Sequence, residues 1–252
     1  MCGRFASFTQ TQDLADQLAI AELAEDARLL PPSWNVAPTD PVRIVVERAA
    51  RDSTDVTRSM RLARWGLVPS WAKDPGVGAR MINARSETLL DKPAFAKPFA
   101  VRRCLVLADG YYEWRKLALP AAGSKKTPKQ PYWIHPAGSG VVAAFAGLYE
   151  FWRNPAASET DPDRWLVSTT VVTRPASDRM APIHDRMPLV LPPETWDAWL
   201  DPAVRDASDL LQVDNAPLTV RPVGDAVGSV RNEGPELIEA DPEPRDPEPV
   251  EV

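Results

Sequence analysis

The first chemically distinctive residue is Cys2, which directly follows the initiator methionine. Aminopeptidases generally remove a methionine that precedes a small residue, and cysteine is small enough. Removal would leave an α-amine and a thiol on one residue, with ordinary pKa values of about 7.7–8.0 and about 8.5. Both groups would then be partly nucleophilic at neutral pH.

A 1,2-aminothiol of this kind has a reaction that an internal cysteine lacks. The amine condenses with an aldehyde to a Schiff base, and the thiol closes on the imine carbon to give a five-membered thiazolidine. The closure is intramolecular, so a high effective molarity favours it. The alternative interpretation of Cys2 is a small apolar residue at the start of a strand.

Nucleophilic chemistry needs groups that move protons, and two side chains are candidates. His184 lies in APIHDRMP, where Pro182 and Pro188 restrict the loop around it. Glu113 lies in the aromatic segment ADGYYEW, where burial would raise the pKa of its carboxyl and suit it to general acid catalysis. The alternatives are a loop histidine and an exposed strand glutamate. His135, in PYWIHP, reads as structural.

Asn83 and Arg85 in INARSET place an amide and a guanidinium two residues apart. In an extended segment both would face the same side. Arg85 could bind a phosphate with two hydrogen bonds, and Asn83 could bind a sugar or carbonyl oxygen. Two solvated loop residues are the alternative.

Neither a metal site nor a cofactor is predicted. The only zinc ligands would be Cys2, Cys104, His135 and His184, which lack the short paired spacing of zinc sites. Cys104 is flanked by apolar residues and is expected to be buried and inert.

Positive charge is concentrated in the middle of the chain although the net charge is −6. Residues 61–116 contain eleven Lys and Arg against five Asp and Glu, interleaved with aromatic residues. The pattern fits a surface for a polyanion with stacking groups, or a solvated basic face over an aromatic core. The last thirteen residues contain five acids, one Arg and four Pro, and are expected to be a disordered tail.

The sequence predicts that mostly strands position these residues. The chain has 252 residues with 27 Pro and nine Trp, which favours short strands and fixed turns over a helical bundle. We predict an α+β fold, one domain over residues 1–239 built on a strongly bent, barrel-like antiparallel β-sheet with peripheral helices, and a tail over 240–252. Asp109-Gly110 reads as a hairpin turn between two strands. The predicted strands are 2–8, 42–47, 62–68, 104–108, 111–115, 132–135, 141–149, 165–173 and 218–222, and the predicted helices run from Thr9 or Thr11 to Ala21 and over 192–200 and 204–211.

Several classes of protein are excluded. No apolar run approaches the roughly 18 residues that cross a membrane. The N-terminus lacks the apolar stretch of a secretory signal, and two cysteines cannot make a disulfide scaffold. We therefore expect a cytoplasmic protein and a monomer.

Seven motifs together resemble one family, the SRAP (SOS response-associated peptidase) proteins, which shield abasic sites in single-stranded DNA. They cover the chain from residue 1 to about 239 in order, and none is broken. The insertions near 48–58 and 153–164 and the acidic tail touch no motif. The motifs are MCGRF at the start, WNVAPT at 34–39, WGLVPSW at 65–71, INARSET at 82–88, ADGYYEW at 108–114, IHDRMP at 183–188 and VGSVRNEGPELI at 227–238.

The resemblance implies a role for each candidate catalytic residue. Cys2 would capture the ring-opened aldehyde of an abasic deoxyribose with its amine and thiol. Asn83 would orient the sugar and Cys2, and Glu113 would help to open the ring and would shuttle protons. His184 would transfer protons at the sugar and in reversal of the Schiff base.

The resemblance also implies contacts to DNA, and association with the nucleoid when DNA is bound. Arg4, Arg85 and Arg186 would bind phosphates that flank the lesion, with Thr173 a lesser contact. Pro38 and Trp71 would form an apolar wedge that stacks on bases and kinks the strand. Elimination of the 3′ phosphate and autocatalytic removal of Met1 would be side activities.

Two other functions remain open on the sequence. A cysteine peptidase of the N-terminal-nucleophile type would use Cys2 with His184 and Glu113 and would need no DNA. A non-covalent single-stranded-DNA-binding module would bind DNA equally well with Cys2 replaced.

Overall fold

The structure is a computed structural model that describes residues 2–49, 55–117, 127–138, 140–161 and 164–246. Strands dominate these residues, as the proline and aromatic content predicts. The strands are β1 (Phe5–Ser7), β2 (Glu22–Leu23), β3 (Ser33–Val36), β4 (Pro41–Ala49), β5 (Val56–Trp65), β6 (Asn83–Arg85), β7 (Arg103–Ala108), β8 (Gly110–Lys116), β9 (Lys129–Pro136), β10 (Ala143–Arg153), β11 (Trp165–Pro175), β12 (Arg186–Pro188) and β13 (Leu218–Pro222).

The larger sheet closes on itself. Its order is β12-β11-β10-β7-β4-β5-β2, and β5 also pairs with β11, which joins β11, β10, β7, β4 and β5 into a ring. The closing pair is parallel, with Ser168 opposite Arg64 and Thr169 opposite Trp65. The predicted α+β class and the barrel-like sheet are confirmed. The barrel is mixed rather than purely antiparallel, because its closing pair joins strands that are distant in the sequence.

A five-stranded sheet of order β13-β9-β8-β1-β3 packs against the barrel. The chain passes from the barrel to this sheet at Asp109, since β7 pairs with β4 and β10 whereas β8 pairs with β1 and β9. The predicted hairpin turn at Asp109-Gly110 is therefore wrong. The carboxylate of Asp109 instead accepts backbone hydrogen bonds from Phe8 and Thr9, which fixes the end of β1.

The two faces of the barrel strands bury different clusters. Alternate side chains such as Val45 and Leu105 pack against the helices, while Val106 and Phe145 pack with residues of the five-stranded sheet. The second cluster also contains Cys2. Cys2 and Phe5 therefore pack with the barrel strands that contribute Val106 and Phe145.

Helices lie at the periphery, as predicted. They are α1 (Thr11–Gln17), α2 (Glu25–Leu29), α3 (Pro93–Val101) and α4 (Trp196–Leu200). The sequence did not indicate α2 or α3, and α3 tolerates Pro93 because a proline in the first turn gives up no intrahelical hydrogen bond. The predicted helix over 204–211 is only a short 3₁₀ turn, Ser208–Leu211. No helix in the described part of the chain is long and apolar enough to cross a membrane.

The first residues of the predicted disordered tail, 240–246, lie against the five-stranded sheet. Ala240 forms a bridge with Val223. Asp246 is only 4% exposed, and its carboxylate accepts hydrogen bonds from Arg115 at 2.6 Å and from the Tyr132 hydroxyl at 2.5 Å. These polar contacts, which composition does not show, order a segment that has no apolar face. Residues 247–252 of the predicted tail lie outside the described residues.

Candidate active site

Cys2 reaches the interior because it lies just before β1, which is between β8 and β3 in the five-stranded sheet. β1 pairs antiparallel with β8, Phe5 opposite Tyr111, and the amide of Tyr112 donates to the carbonyl of Arg4. Residues 2–4 are outside the regular strand, and Cys2 packs in the same cluster as Phe5 and Tyr111. Its side chain is fully buried.

Burial changes the chemistry of the Cys2 thiol. Desolvation, followed by the negative charge of Glu113, raises the pKa of the thiol far above its ordinary value. The sequence predicts a thiol that is partly nucleophilic at neutral pH, but the buried thiol keeps its proton there. The thiol can act as a nucleophile only when a neighbouring base takes its proton during the reaction.

Glu113 is the closest candidate for that base. It lies on β8 opposite Tyr132 of β9 and is 3% exposed. Burial raises the pKa of its carboxyl to about 7. The aromatic strand predicted this burial, and a carboxyl with such a pKa can both donate and accept a proton near neutral pH.

Asn83 joins Cys2 to the barrel. Strand β6 runs parallel to β11, with Asn83 opposite Val171 and Arg85 opposite Thr173. The Asn83 Nδ2 atom donates to the Cys2 carbonyl at 2.8 Å. Its Oδ1 atom is buried and has no hydrogen-bond partner in the described part of the chain. Arg85 is exposed, so its guanidinium is available to a phosphate.

His184 lies in the proline-bounded turn that precedes β12, and its side chain is 30% exposed. Its Nδ1 atom accepts a hydrogen bond from the Arg186 amide at 3.0 Å and lies 2.8 Å from the Asp185 carboxylate. A single protonation state of Nδ1 cannot both accept from the amide and donate to the carboxylate. Burial lowers the pKa of the imidazole, which favours the neutral ring, with Nδ1 as acceptor and the proton on Nε2.

Arg186 is 9% exposed, and its guanidinium forms a bidentate ion pair with Glu87. It also donates to the Thr173 carbonyl at 2.8 Å. The pair lowers the pKa of Glu87 to about 2. In this structure a carboxylate occupies the guanidinium for which a phosphate was predicted. Thr173 is fully buried and supports Arg186 rather than facing solvent.

Trp71 and Pro38 lie in two turns near the end of β5. The side chain of Trp71 is 67% exposed, which is unusual for so large an apolar group. The indole of Trp152 donates to the Ala72 carbonyl at 2.7 Å and fixes this turn to β10. Thr39, next to Pro38, has a φ of 79°, a left-handed conformation that costs energy in a β-branched residue.

The side chain of Arg4 lies between β3 and the segment near Val227. Its Nη1 atom donates to the Asn35 side chain at 2.8 Å and to the Val227 carbonyl at 2.9 Å. A phosphate could therefore reach Arg4 only through the remaining N–H groups.

The sequence matches a known protein family over most of its length. The family model "SOS response associated peptidase (SRAP)" matches residues 1–230. The chain belongs to the SRAP family.

The SRAP chain has relatives along most of its length. It is 38% identical over 244 residues to the abasic site processing protein YoqW of Bacillus subtilis, covering 95% of this chain and 100% of that protein. It is 33% identical over 252 residues to the abasic site processing protein YedK of Escherichia coli, covering 95% and 99%. A solved structure from Bacteroides thetaiotaomicron has the same fold, with a TM-score of 0.77 and 21% identity over 95% of this chain and 100% of that one.

The SRAP fold brings some predicted residues together and leaves others apart. Cys2, Asn83 and Glu113 share one buried region, and His184 lies at its edge through β12. Most aromatic residues of the basic segment belong to the core, so the surface interpretation fails for them. They are Trp65, Phe95, Tyr111 and Tyr112, all at most 5% exposed.

The sequence does not indicate the environment of three residues around the SRAP site. Glu87 in INARSET binds Arg186. Asp246, in the predicted tail, binds Arg115, and Tyr111 is buried in the cluster that contains Cys2. The alternation of β8 offered a signal for Tyr111, because residues 111 and 113 must share a face.

Proposed function

We propose that this chain recognises abasic sites in single-stranded DNA and captures them covalently through Cys2 once Met1 has been removed. The observation that supports this most is the burial of Cys2 beside Glu113, with Asn83 bonded to the Cys2 backbone. Such a site suits an aminothiol that must react with one small aldehyde while water is excluded. The names of the relatives point to the same lesion.

The first step is ring opening of the deoxyribose. Glu113, whose pKa is about 7, is protonated in a large fraction of molecules at neutral pH and can donate a proton to the ring oxygen. As the aldehyde forms, the C1′ hydroxyl gives its proton to Nδ1 of the neutral His184 ring, and Nδ1 then gives up its hydrogen bond from the Arg186 amide. The unpartnered Oδ1 of Asn83 can accept a hydrogen bond from the sugar or from the attacking amine.

Capture then follows in two bond-forming steps. The Cys2 amine adds to the aldehyde carbon and one water molecule leaves, which gives the Schiff base. The sulfur next bonds to the same carbon, the C=N electron pair moves to nitrogen, and the thiol proton passes to that nitrogen through Glu113. The product is a thiazolidine, and the only by-product is water. Elimination of the 3′ phosphate from the Schiff base would be a side activity.

DNA binding precedes this chemistry and requires no reading of sequence. An abasic nucleotide is already unstacked, so extruding it costs little. The exposed ring of Trp71 can stack on a neighbouring base, which is worth about 1–3 kcal/mol per base. Arg85 provides an exposed phosphate contact.

A peptidase that relies on a thiolate is less well supported. Burial raises the pKa of Cys2, whereas a thiolate nucleophile needs a lowered one. A purely non-covalent binder leaves the buried cluster around Cys2 without a purpose.

A denaturing gel tests the proposal. Purified protein, with loss of Met1 verified by mass spectrometry, is mixed with a single-stranded oligonucleotide that contains one abasic site. We expect a heat-resistant shifted band that disappears in Cys2→Ala and in a variant with an extra residue before Cys2. A protein that lacks Met1 and gives no band would contradict the covalent mechanism. Retained DNA binding in Cys2→Ala would then favour the non-covalent module.

A further inference from the structure

The hydroxyl of Tyr111 is an exception among the buried polar groups of β8 and β9. Tyr111 is 1% exposed, and its hydroxyl has no hydrogen-bond partner among the described residues. Buried hydroxyls are nearly always bonded, so an unbonded one calls for an explanation. Neighbouring tyrosines follow the rule: Tyr112 donates to the Trp34 carbonyl at 2.8 Å, and Tyr132 donates to Asp246.

The position of Tyr111 connects it to the reacting groups. It shares a face of β8 with Glu113, two residues away, and it packs in the same cluster as Cys2. Burial, then repulsion from the charges of Cys2 and Glu113, raises the pKa of the phenol well above its ordinary value. The phenol therefore keeps its proton throughout the working pH range and can act only as a neutral hydrogen-bond donor or acceptor.

The thiol step creates a need for such a donor. As Cys2 loses its proton to Glu113, negative charge develops on a fully buried sulfur. Among the described residues no hydrogen bond joins the Tyr111 hydroxyl and the Cys2 sulfur. Both groups lie in one buried cluster, and rotation about the Cys2 Cα–Cβ bond during closure can bring the sulfur to the phenol.

We propose that Tyr111 is a positioning residue for ring closure, whose hydroxyl donates a hydrogen bond to the Cys2 sulfur while the sulfur bonds to C1′ of the Schiff base. This inference rests on the proposed function. Tyr111 keeps its proton, so the balance of the step is unchanged: the thiol proton passes through Glu113 to the nitrogen. The residue would act on the thiol step alone and leave Schiff-base formation untouched.

Tyr111→Phe separates the two steps, and Tyr112→Phe is the matched control one position away on the other face. Schiff-base formation is measured by trapping with borohydride, which reduces the C=N bond. Ring closure is measured without borohydride, after quenching with excess methoxyamine, which consumes free aldehyde and Schiff base. Both assays use the full chain and the single-stranded abasic oligonucleotide.

We expect Tyr111→Phe to slow closure about tenfold with normal trapping, and Tyr112→Phe to change neither rate. The expected factor is below the hundredfold typical of a donor to an oxyanion, because sulfur is a weaker acceptor. Unchanged closure in Tyr111→Phe, an equal fall in both of its rates, or the same behaviour in Tyr112→Phe would overturn the inference. Failure of the wild-type protein to form any crosslink would instead contradict the proposed function.

Discussion

Strand β8 has two faces that differ in how their polar groups are satisfied. Tyr111 and Glu113 form the inner face, toward the barrel and Cys2, and the hydroxyl of Tyr111 has no partner among the described residues. Tyr112 and Trp114 form the outer face. There Tyr112 packs on Trp133 at 4.8 Å between ring centroids, and its hydroxyl donates to the Trp34 carbonyl.

The two faces of this seven-residue strand therefore differ in what they contribute to the protein. The outer face follows the usual rules of packing and hydrogen bonding, so it stabilises the sheet. The inner face contains a carboxyl with a raised pKa and an unbonded phenol, both of which cost folding free energy. Costs of this kind concentrate where a reaction uses them.

Glu113→Gln breaks the inner face most severely. We expect crosslink formation to fall by about 10²–10⁴-fold, the usual contribution of a general acid or base. If proton donation limits the wild-type rate, that rate should decline as pH rises through about 7, the pKa of Glu113, and the variant should lose this limb. Rates between pH 5.5 and 8.5 on the denaturing gel would show both effects. Glu194→Gln, at an exposed position, should match the wild type.

The same substitution should stabilise the fold at high pH. The pKa of Glu113 is about 7 in the folded state and near 4.5 in the unfolded chain, so the unfolded chain ionises first as pH rises. Stability is therefore undiminished below pH 4.5 and falls through pH 7, by up to about 3 kcal/mol. Glu113→Gln avoids this loss. Urea unfolding at pH 8 should show a more stable variant, and at pH 4.5 the difference should be small. An equal difference at both pH values would contradict the assigned pKa.

The sequence indicated single candidate residues better than their surroundings. Cys2 and Glu113 could be proposed because a cysteine after the initiator methionine and a carboxyl among aromatics are visible in short motifs, to which the family resemblance assigned roles. Asn83 and Arg85 could be placed on one face because strand periodicity is local. These are all properties of short segments, which the amino-acid order determines directly.

The interactions that the sequence did not reveal join distant segments. The barrel closes through β5 and β11, about a hundred residues apart, and no local pattern specifies that pair. Glu87 neutralises Arg186 across a similar distance. The pair Asp109-Gly110 resembles a hairpin turn in the sequence. In the structure the carboxylate of Asp109 instead binds the backbone at the end of β1. Such contacts depend on the completed fold.

The two tyrosines of β8 sharpen the comparison without any DNA. Tyr112→Phe removes a hydroxyl that donates to the Trp34 carbonyl and should cost about 1 kcal/mol of unfolding free energy. Tyr111→Phe removes a buried hydroxyl that has no partner in the described part of the chain, and it should be neutral or stabilising by up to about 1 kcal/mol. Urea unfolding at one pH measures both. A destabilised Tyr111→Phe protein would mean that the inner hydroxyl has a structural role.

The smallest predicted effect is on DNA affinity and concerns Arg115, near the end of β8. Arg115 follows Glu113 on the same face, and the buried carboxylate of Asp246 pairs with it. We infer that Asp246 competes with a DNA phosphate for this guanidinium. Asp246→Asn keeps the shape and an acceptor oxygen but removes the charge, so affinity for single-stranded DNA should rise by roughly fivefold or less, the scale of one ion pair.

Salt separates this competition from a general loss of negative charge. A newly available Arg115 adds about one phosphate contact, so the affinity of Asp246→Asn should fall more steeply with salt than that of the wild type. Asp225→Asn is the matched control, because it removes an equal charge from the exposed pair with Arg245 and leaves Arg115 occupied. If both variants gain affinity equally, net charge explains the effect. If neither variant gains affinity, Asp246 only orders the end of the chain, and Arg115 does not contact DNA.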